Sequence, residues 1–193
     1  MSTFSETIRT LAVEEVVEDR RVRAALGVVA FAVATALSAQ VAVWLPWTAV
    51  PVTLQPLFVI LAGALLGPRL GALSMGAYVV AGAMGAPVFA SGGAGLPWLV
   101  GPTGGYLLAA PVAAFVAGVI AGREGDLRLL AGLVLGVATM YVGGVAQLAG
   151  LTGQGLEAVV AAGVVPFLVG DATKIGLAFF VVRSARWARS KRS

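Results

Sequence analysis

The chain has 193 residues, of which 59% are hydrophobic and 11% are charged, and its mean hydropathy is +0.96. Since roughly a quarter of the residues in soluble domains are charged, this composition excludes an ordinary soluble protein and predicts an integral membrane protein. The net charge is +4, and the chain has no cysteine and no histidine, which excludes disulfides, thiolate metal sites and a serine–histidine catalytic pair.

The N-terminal segment is charged and precedes the first apolar stretch. Acidic residues such as Glu14 and Glu15 lie before that stretch, and no cleavage pattern follows it, so a secretory signal is not predicted. We interpret residues 5–22 as a charged cytoplasmic helix or a disordered tail.

Long uncharged stretches predict the membrane spans. There are 45 uncharged residues between Arg23 and Arg69 and 53 between Arg69 and Arg123. A span needs about 20 apolar residues, so each stretch has room for two spans and a loop, and the chain from Arg128 to Arg183 has room for a third pair. Prolines bound the second and third spans, which are therefore expected to be short, tilted or broken. The predicted spans are 24–45, 55–67, 70–85, 104–122, 129–150 and 162–182.

The basic residues predict the orientation. Twelve of the 13 lysines and arginines lie in the N-terminal tail, in the turns between the predicted hairpins or at the C-terminal end. These regions are expected to face the cytoplasm by the positive-inside rule, and this distribution also argues against nucleic acid as a partner. The predicted fold is an all-α integral membrane protein with six transmembrane helices and cytoplasmic N- and C-termini. Its domain covers residues 24–185, between tails at 1–23 and 186–193.

Glycine and alanine recur at four-residue spacing, which lets membrane helices approach closely. We expect most of these residues to pack within the bundle. The alanines of the first helix, in the registers Ala30/Ala34 and Ala32/Ala36, are either packing residues or a docking face for another membrane subunit. The glycine pairs are Gly67/Gly71, Gly101/Gly105, Gly118/Gly122 and Gly132/Gly136.

Two opposite charges, Asp171 and Lys174, lie within the last predicted span and share one helix face because they are three residues apart. An ion at mid-span costs about 2.5–3.5 kcal/mol on insertion scales, whereas a surface-type ion pair returns only about 1 kcal/mol. Pairing alone therefore does not account for them. A polar ligand would account for them, and the alternative is a structural pair that ties two helices together.

Other polar residues have two interpretations each. Gln55 is either a group that donates to and accepts from an amide or urea-like ligand, or the cap of a helix end. Tyr78 and Tyr106 are either interfacial aromatic residues or walls of a pocket. The uncharged, glycine-rich segment 85–106 is expected to form an apolar lid with glycine hinges. It lacks the G-K-[ST] ending of a phosphate loop, so no nucleotide site is predicted.

Four motifs in order, VPVTLQP, LAGALLGPRLGALSMGAYVVAGAMGAPVFA, GPTGGYLLAAPVAAFVAG and PFLVGDATK, resemble the BioY family across residues 24–185. This family comprises the biotin-specific substrate-binding subunits of energy-coupling-factor transporters. The resemblance implies a multi-pass protein of a prokaryotic cell membrane that captures biotin from outside. Its partners would be a transmembrane coupling subunit and two ATP-binding-cassette ATPases. No cofactor, metal or enzymatic activity is expected.

The resemblance also suggests roles for the residues. Asp171 would accept hydrogen bonds from the ureido N–H groups of biotin, and Lys174 or a donor near it would meet an anionic or carbonyl oxygen. The coupling subunit would contact one of the two alanine registers. Gln55 and Tyr78 would supply further polar contacts, and Tyr106 would form a wall of the pocket. A loop over the ring would consist of Val88, Phe89, Gly92 and Gly93. The helix start at Thr103 and Gly104 would receive the carboxylate.

Three other classes compete with this interpretation. An ion-coupled secondary transporter of a small organic solute would use Asp171 as a proton or sodium site, but six short helices without an inverted repeat are a small frame for it. A membrane enzyme lacks a cluster of acids or an activated nucleophile. A structural scaffold or oligomerising membrane protein would account for the glycine and alanine faces of the helices but not for the charged pair.

Overall fold

The computed structural model describes residues 19–191, so the predictions made for residues 1–18 lie outside it. A short antiparallel hairpin pairs Ala42–Val43 with Val52–Thr53. Single 3-10 turns lie at Ala90–Gly92 and Val165–Phe167. The helices are α1 (Arg20–Gln40), α2 (Gln55–Leu66), α3 (Pro68–Ala83), α4 (Leu96–Val100), α5 (Gly104–Ala121), α6 (Asp126–Thr152), α7 (Leu156–Gly163) and α8 (Leu168–Ser190).

Each predicted span contains a helix, but several boundaries differ. In the described residues, α1, α5, α6 and the segment Leu156–Ser190 are long and apolar enough to cross a membrane. The helices α2 and α3 have only 12 and 16 residues, as their flanking prolines predicted.

Three of these boundaries differ from the predicted ones. The N-terminal tail was predicted to extend to residue 23, whereas α1 begins at Arg20, where the Asp19 carboxylate accepts from the Arg21 N–H at 2.7 Å and caps the helix. The first span was predicted to reach residue 45, whereas α1 ends at Gln40 because the chain enters the hairpin. The C-terminal tail predicted from residue 186 is helical through Ser190.

The short helix α2 lies at the centre of the bundle. It packs against α1, α3, α5, α6 and α8, and its middle, from Val59 to Gly63, is buried. The most extensive helix pair is α5 with α6. Because the rise of a helix is 1.5 Å per residue, 12 residues span only about 18 Å of a hydrocarbon core of about 30 Å. The central helix therefore leaves space inside the bundle beyond its own N-terminus.

Glycines allow α2, α3 and α5 to meet at backbone distance. A Cβ added to Gly63 would lie 2.1 Å from the Ala114 carbonyl oxygen, and one added to Gly118 would lie 2.7 Å from the Gly63 carbonyl oxygen. A Cβ added to Gly71 of α3 would lie 2.7 Å from the Cα of Gly63. Of the predicted packing pairs, Gly67 has a different role: its φ of +85° forms the turn between α2 and α3, with open space around it.

Basic segments meet at one end of the bundle. The Arg183 side chain lies 3.4 Å from Asp126 at the start of α6, and Arg186 donates to the Ala121 carbonyl at the end of α5. Contacts of Gly118 with Pro68 and of Gly27 with Leu66 bring the α2–α3 turn and the first half of α1 to the same end. The other end, which we call the outer end, is formed by segments 41–54, 84–103 and 153–167.

Candidate functional site

A cavity lies beyond the N-terminus of α2. Its floor contains Val59, Val137 and Met140, and its outer wall comes from the segments 41–54 and 84–103. Since these apolar side chains make up most of the floor, the few polar groups around the cavity are the ones that can select a ligand. Six of the predicted site residues line it: Gln55, Tyr78, Thr103, Tyr106, Asp171 and Lys174.

The charged pair of α8 is buried in the wall of this cavity. The Lys174 Nζ lies 2.6 Å from Asp171 Oδ1, and the two side chains are only 7% and 5% exposed. The Tyr141 hydroxyl of α6 donates to the other carboxylate oxygen, Oδ2, at 2.5 Å. Lys174 and Asp171 are thus held by each other and by Tyr141, and both also face the cavity.

A second polar group comes from α2 and α3 on another wall. The Gln55 Nε2 donates to the Tyr78 hydroxyl at 2.7 Å, and this hydroxyl donates to the Val88 carbonyl at 3.2 Å. The Thr53 hydroxyl donates to Gln55 Oε1 at 3.0 Å. The Gln55 side chain bonds Thr53 and Tyr78 rather than a backbone N–H at the start of α2, which favours the interpretation as a pocket residue over that as a helix cap. Tyr78 is only 2% exposed, which excludes an interfacial position.

Tyr106 joins the first turn of α5 to α7. Its hydroxyl donates to the Gly163 carbonyl at 2.6 Å, and its ring packs against Gly144, where an added Cβ would lie 2.0 Å from the ring. The side chain is therefore fixed from two sides while one part of it lines the cavity. Beside Tyr106, Gly104 is buried against the Leu99 carbonyl and Gln147.

The segment 84–103 covers the cavity with Ala90 and Trp98. Phe89 is fully buried and packs edge-on against Tyr78, with ring centroids 5.6 Å apart. Val88 packs against the same cluster. Gly93 leaves room for the indole of Trp98, because an added Cβ would lie 2.1 Å from that ring.

Two glutamine side chains hydrogen-bond segment 84–103, which we call the cover, to the helices of the bundle. Gln40, the last residue of α1, accepts from the Gly92 N–H at 2.9 Å and donates to the Phe89 carbonyl at 3.2 Å. Gln147 of α6 donates to the Leu99 and Gly101 carbonyls at 2.8 and 2.6 Å. The glycine-rich segment predicted as a lid is therefore anchored through its backbone at both ends.

Sequence reasoning did not single out Tyr141, Gln40 or Gln147. Each is a polar residue in or beside an apolar helix, which is a signal that a partner is needed. Their partners lie 30 to 52 residues away in the chain, so spacing alone gives no indication of them. Within residues 19–191 no cluster of carboxylates that could hold a metal ion is found.

The two alanine registers of α1 differ in their surroundings. Ala32 and Ala36 pack against the cluster that contains Tyr78 and Phe89. Ala30 is exposed and Ala34 is partly exposed. The Ala32/Ala36 register therefore contacts the buried cluster, whereas Ala30 and Ala34 are not part of it.

Several long apolar helices around a cavity with a buried charged pair are typical of a multi-pass membrane protein. The BioY family model matches residues 9–191, and the chain belongs to the BioY family. The resemblance found in the four sequence motifs is thereby confirmed.

Named relatives agree with this membership. The chain is 42% identical over 151 residues to the "Probable biotin transporter BioY" of Pyrococcus horikoshii, covering 78% of this chain and 88% of the relative. It is 38% identical over 138 residues to the "Biotin transporter BioY" of Thermotoga maritima, covering 71% and 81%. The fold is similar to the crystal structure of the S-component for biotin from an ECF-type ABC transporter, with a TM-score of 0.81, 25% identity, and 88% and 93% of the two chains covered.

Proposed function

We propose that this chain is the biotin-binding subunit of an energy-coupling-factor importer, which captures biotin from outside and delivers it inward with a separate ATPase module. The observation that carries the proposal is the buried Asp171–Lys174 pair facing a cavity, in a chain similar to biotin transporters over most of its length.

The chemistry of the pair matches the ureido ring of biotin, which has two N–H donors and a carbonyl acceptor. Each Asp171 oxygen accepts one hydrogen bond within the protein, and a carboxylate oxygen can accept two. A lysine ammonium has three donors, and Asp171 is the acceptor found for Lys174 among the described residues. The pair can therefore accept from and donate to one neutral ligand group at the same time.

The remaining contacts follow from the cavity wall. Gln55 and Tyr78 supply further polar groups, and Tyr106 and Trp98 supply aromatic surface. Thr103 lines the cavity and offers its hydroxyl to the carboxyl end of the ligand. Gly104 donates its N–H to the Gly101 carbonyl, so we assign it a supporting role at the start of α5. We assign a supporting role to Val88, Phe89, Gly92 and Gly93, because the segment that contains them holds Ala90 and Trp98 over the cavity.

We further propose six membrane helices with both termini in the cytoplasm of a prokaryotic cell. In this arrangement α2 and α3 cross only part of the hydrocarbon core, and the outer segments fill the rest of its depth above the cavity. The clustering of basic segments at one end supports cytoplasmic termini, since basic residues are enriched on that side.

Partners and chemistry follow from the same proposal. The coupling subunit would dock on the small residues Ala30 and Ala34, because Ala32 and Ala36 are used inside the bundle. Two ATP-binding-cassette ATPases would supply the energy. The protein itself would need no cofactor, catalyse no reaction and bind no nucleic acid.

Titration of the purified chain with a panel of vitamins tests the proposal. Biotin is expected to change the tryptophan fluorescence in a saturable way, since Trp98 lines the cavity, whereas thiamine and riboflavin are expected to leave it unchanged. Trp98→Phe should remove much of the signal without abolishing binding of radiolabelled biotin. Saturable binding of another vitamin but not of biotin would refute the proposed function.

Tyr141→Phe is expected to lower the free energy of unfolding by about 1.5–3 kcal/mol, which is typical of a lost hydrogen bond to a charged group, and to weaken biotin binding. The variant keeps the ring in the wall but removes the donor to Asp171 Oδ2, so the carboxylate loses one of the contacts that orient it. Equilibrium binding of radiolabelled biotin measures the effect. Tyr106→Phe is the comparison, because its hydroxyl bonds a backbone carbonyl rather than Asp171. An unchanged affinity in Tyr141→Phe would show that Lys174 alone positions the carboxylate.

A further inference from the structure

The cavity's buried cation is already neutralised. Among the described residues that line the cavity, Asp171 and Lys174 are the charged ones, and they are bonded to each other at 2.6 Å. Their net charge is zero. A ligand carboxylate added to this pair would leave an excess negative charge in a buried site, which is costly to desolvate. The pair is therefore suited to a neutral group and unsuited to the anionic end of a ligand.

The outer segments also offer no cation. Segments 41–54, 84–103 and 153–167 contain no lysine and no arginine. A carboxylate that points toward the outer end of the cavity therefore meets neutral donors, such as the Thr103 hydroxyl, or water. Neutral donors of this kind can also bond the carbonyl oxygen of an amide or ester, although a bond to an ionised carboxylate oxygen is about twice as strong.

Space for a larger group adjoins this end of the cavity. Trp98 and Thr103 line the cavity and also an outer groove. The other residues of the groove are Trp44, Ala49, Pro97, Gly101 and Pro102, and none of them is charged. The groove thus shares two residues with the cavity wall and has the apolar, aromatic surface on which an alkyl extension can lie.

We propose that the carboxyl end of the ligand faces this outer groove without being recognised as an anion, so that the protein binds amides and esters of biotin as well as biotin itself. This inference rests on the proposed function. It assigns the ureido ring to the Asp171–Lys174 pair, with Lys174 meeting the ring carbonyl. The substrate class is then defined by the bicyclic ring system, and the acyl chain is free to carry a neutral or extended group.

Competition against radiolabelled biotin on the purified full-length chain tests the inference. The competitors are biotin, biotinamide, biotin methyl ester and biotin joined through an amide to lysine. We expect each derivative to compete within tenfold of free biotin. A loss of more than tenfold for biotinamide and the methyl ester, with free biotin still bound, would overturn the inference and leave the proposed function intact. Failure of free biotin to bind would refute both.

Lys174→Gln gives a second measurement that does not depend on absolute affinity. If Lys174 meets the ring carbonyl, biotin and biotinamide lose affinity in parallel, and their ratio stays within about threefold of the ratio in the parent chain. If Lys174 instead paired with the ligand carboxylate, biotin alone would lose affinity and the ratio would shift toward biotinamide. Should the variant not fold, the competition series on the parent chain still decides the matter.

Discussion

Asp171→Asn is expected to weaken biotin binding by about 2–5 kcal/mol, the cost of removing one partner of a buried charge pair. The substitution keeps the shape of the side chain but leaves the Lys174 ammonium without its counter-charge at 2.6 Å. It also replaces a carboxylate oxygen by an amide NH₂, which cannot accept from a ureido N–H. The dissociation constant for radiolabelled biotin, together with the thermal unfolding midpoint of each variant, measures the effect.

Two comparisons separate binding from folding. Asp126→Asn breaks the ion pair between Asp126 and Arg183, in which both side chains are more than half exposed. It should change the free energy of unfolding by less than about 1 kcal/mol. The double variant Asp171→Leu with Lys174→Met replaces the buried pair by apolar groups, and such replacements are often neutral for folding. If the double variant folds and still binds biotin like the parent chain, the pair is structural and the assigned site is wrong.

Much of the architecture follows from local features of the sequence. The uncharged stretches between arginines predicted where helices lie, because the backbone N–H and C=O groups of each stretch must be hydrogen-bonded within the membrane. Prolines at residues 56 and 68 predicted that α2 and α3 are short. The i, i+3 spacing of Asp171 and Lys174 predicted their contact, since helical geometry alone brings such residues together.

The details of the site depend on contacts between distant segments, and these could not be predicted from spacing. Gln40 and Gln147 anchor the cover through its backbone, so nothing in the side chains of the cover indicates them. Tyr141 reaches Asp171 from another helix. The choice between the alanine registers likewise required the position of α1 relative to the Tyr78–Phe89 cluster. In each case the helix was predictable, whereas the neighbour that its side chain contacts was not.

Gly63→Ala is expected to destabilise the bundle by about 1–3 kcal/mol or more, as overpacking of a filled core does. The added methyl carbon would lie 2.1 Å from the Ala114 carbonyl oxygen and 3.0 Å from the Gly118 nitrogen. Both are backbone atoms, so no side chain can rotate to make room, and α2 must move away from α5. Gln55 begins α2 and Val59 lies in its first turns, so biotin affinity should fall together with stability. Thermal unfolding in detergent, with and without biotin, measures both changes.

Gly76→Ala is the matched control, because Gly76 is also inside a helix but an added Cβ would have nothing within 4 Å. Its free energy of unfolding should equal that of the parent chain or exceed it by up to about 1 kcal/mol, the difference in helix propensity between glycine and alanine. Both variants replace glycine by alanine inside a helix, so the change in helix propensity is the same in each. The difference between their free energies of unfolding therefore reports the contact between helix backbones at Gly63. Equal midpoints for the two variants would mean that α2 and α5 do not approach as closely as the structure places them.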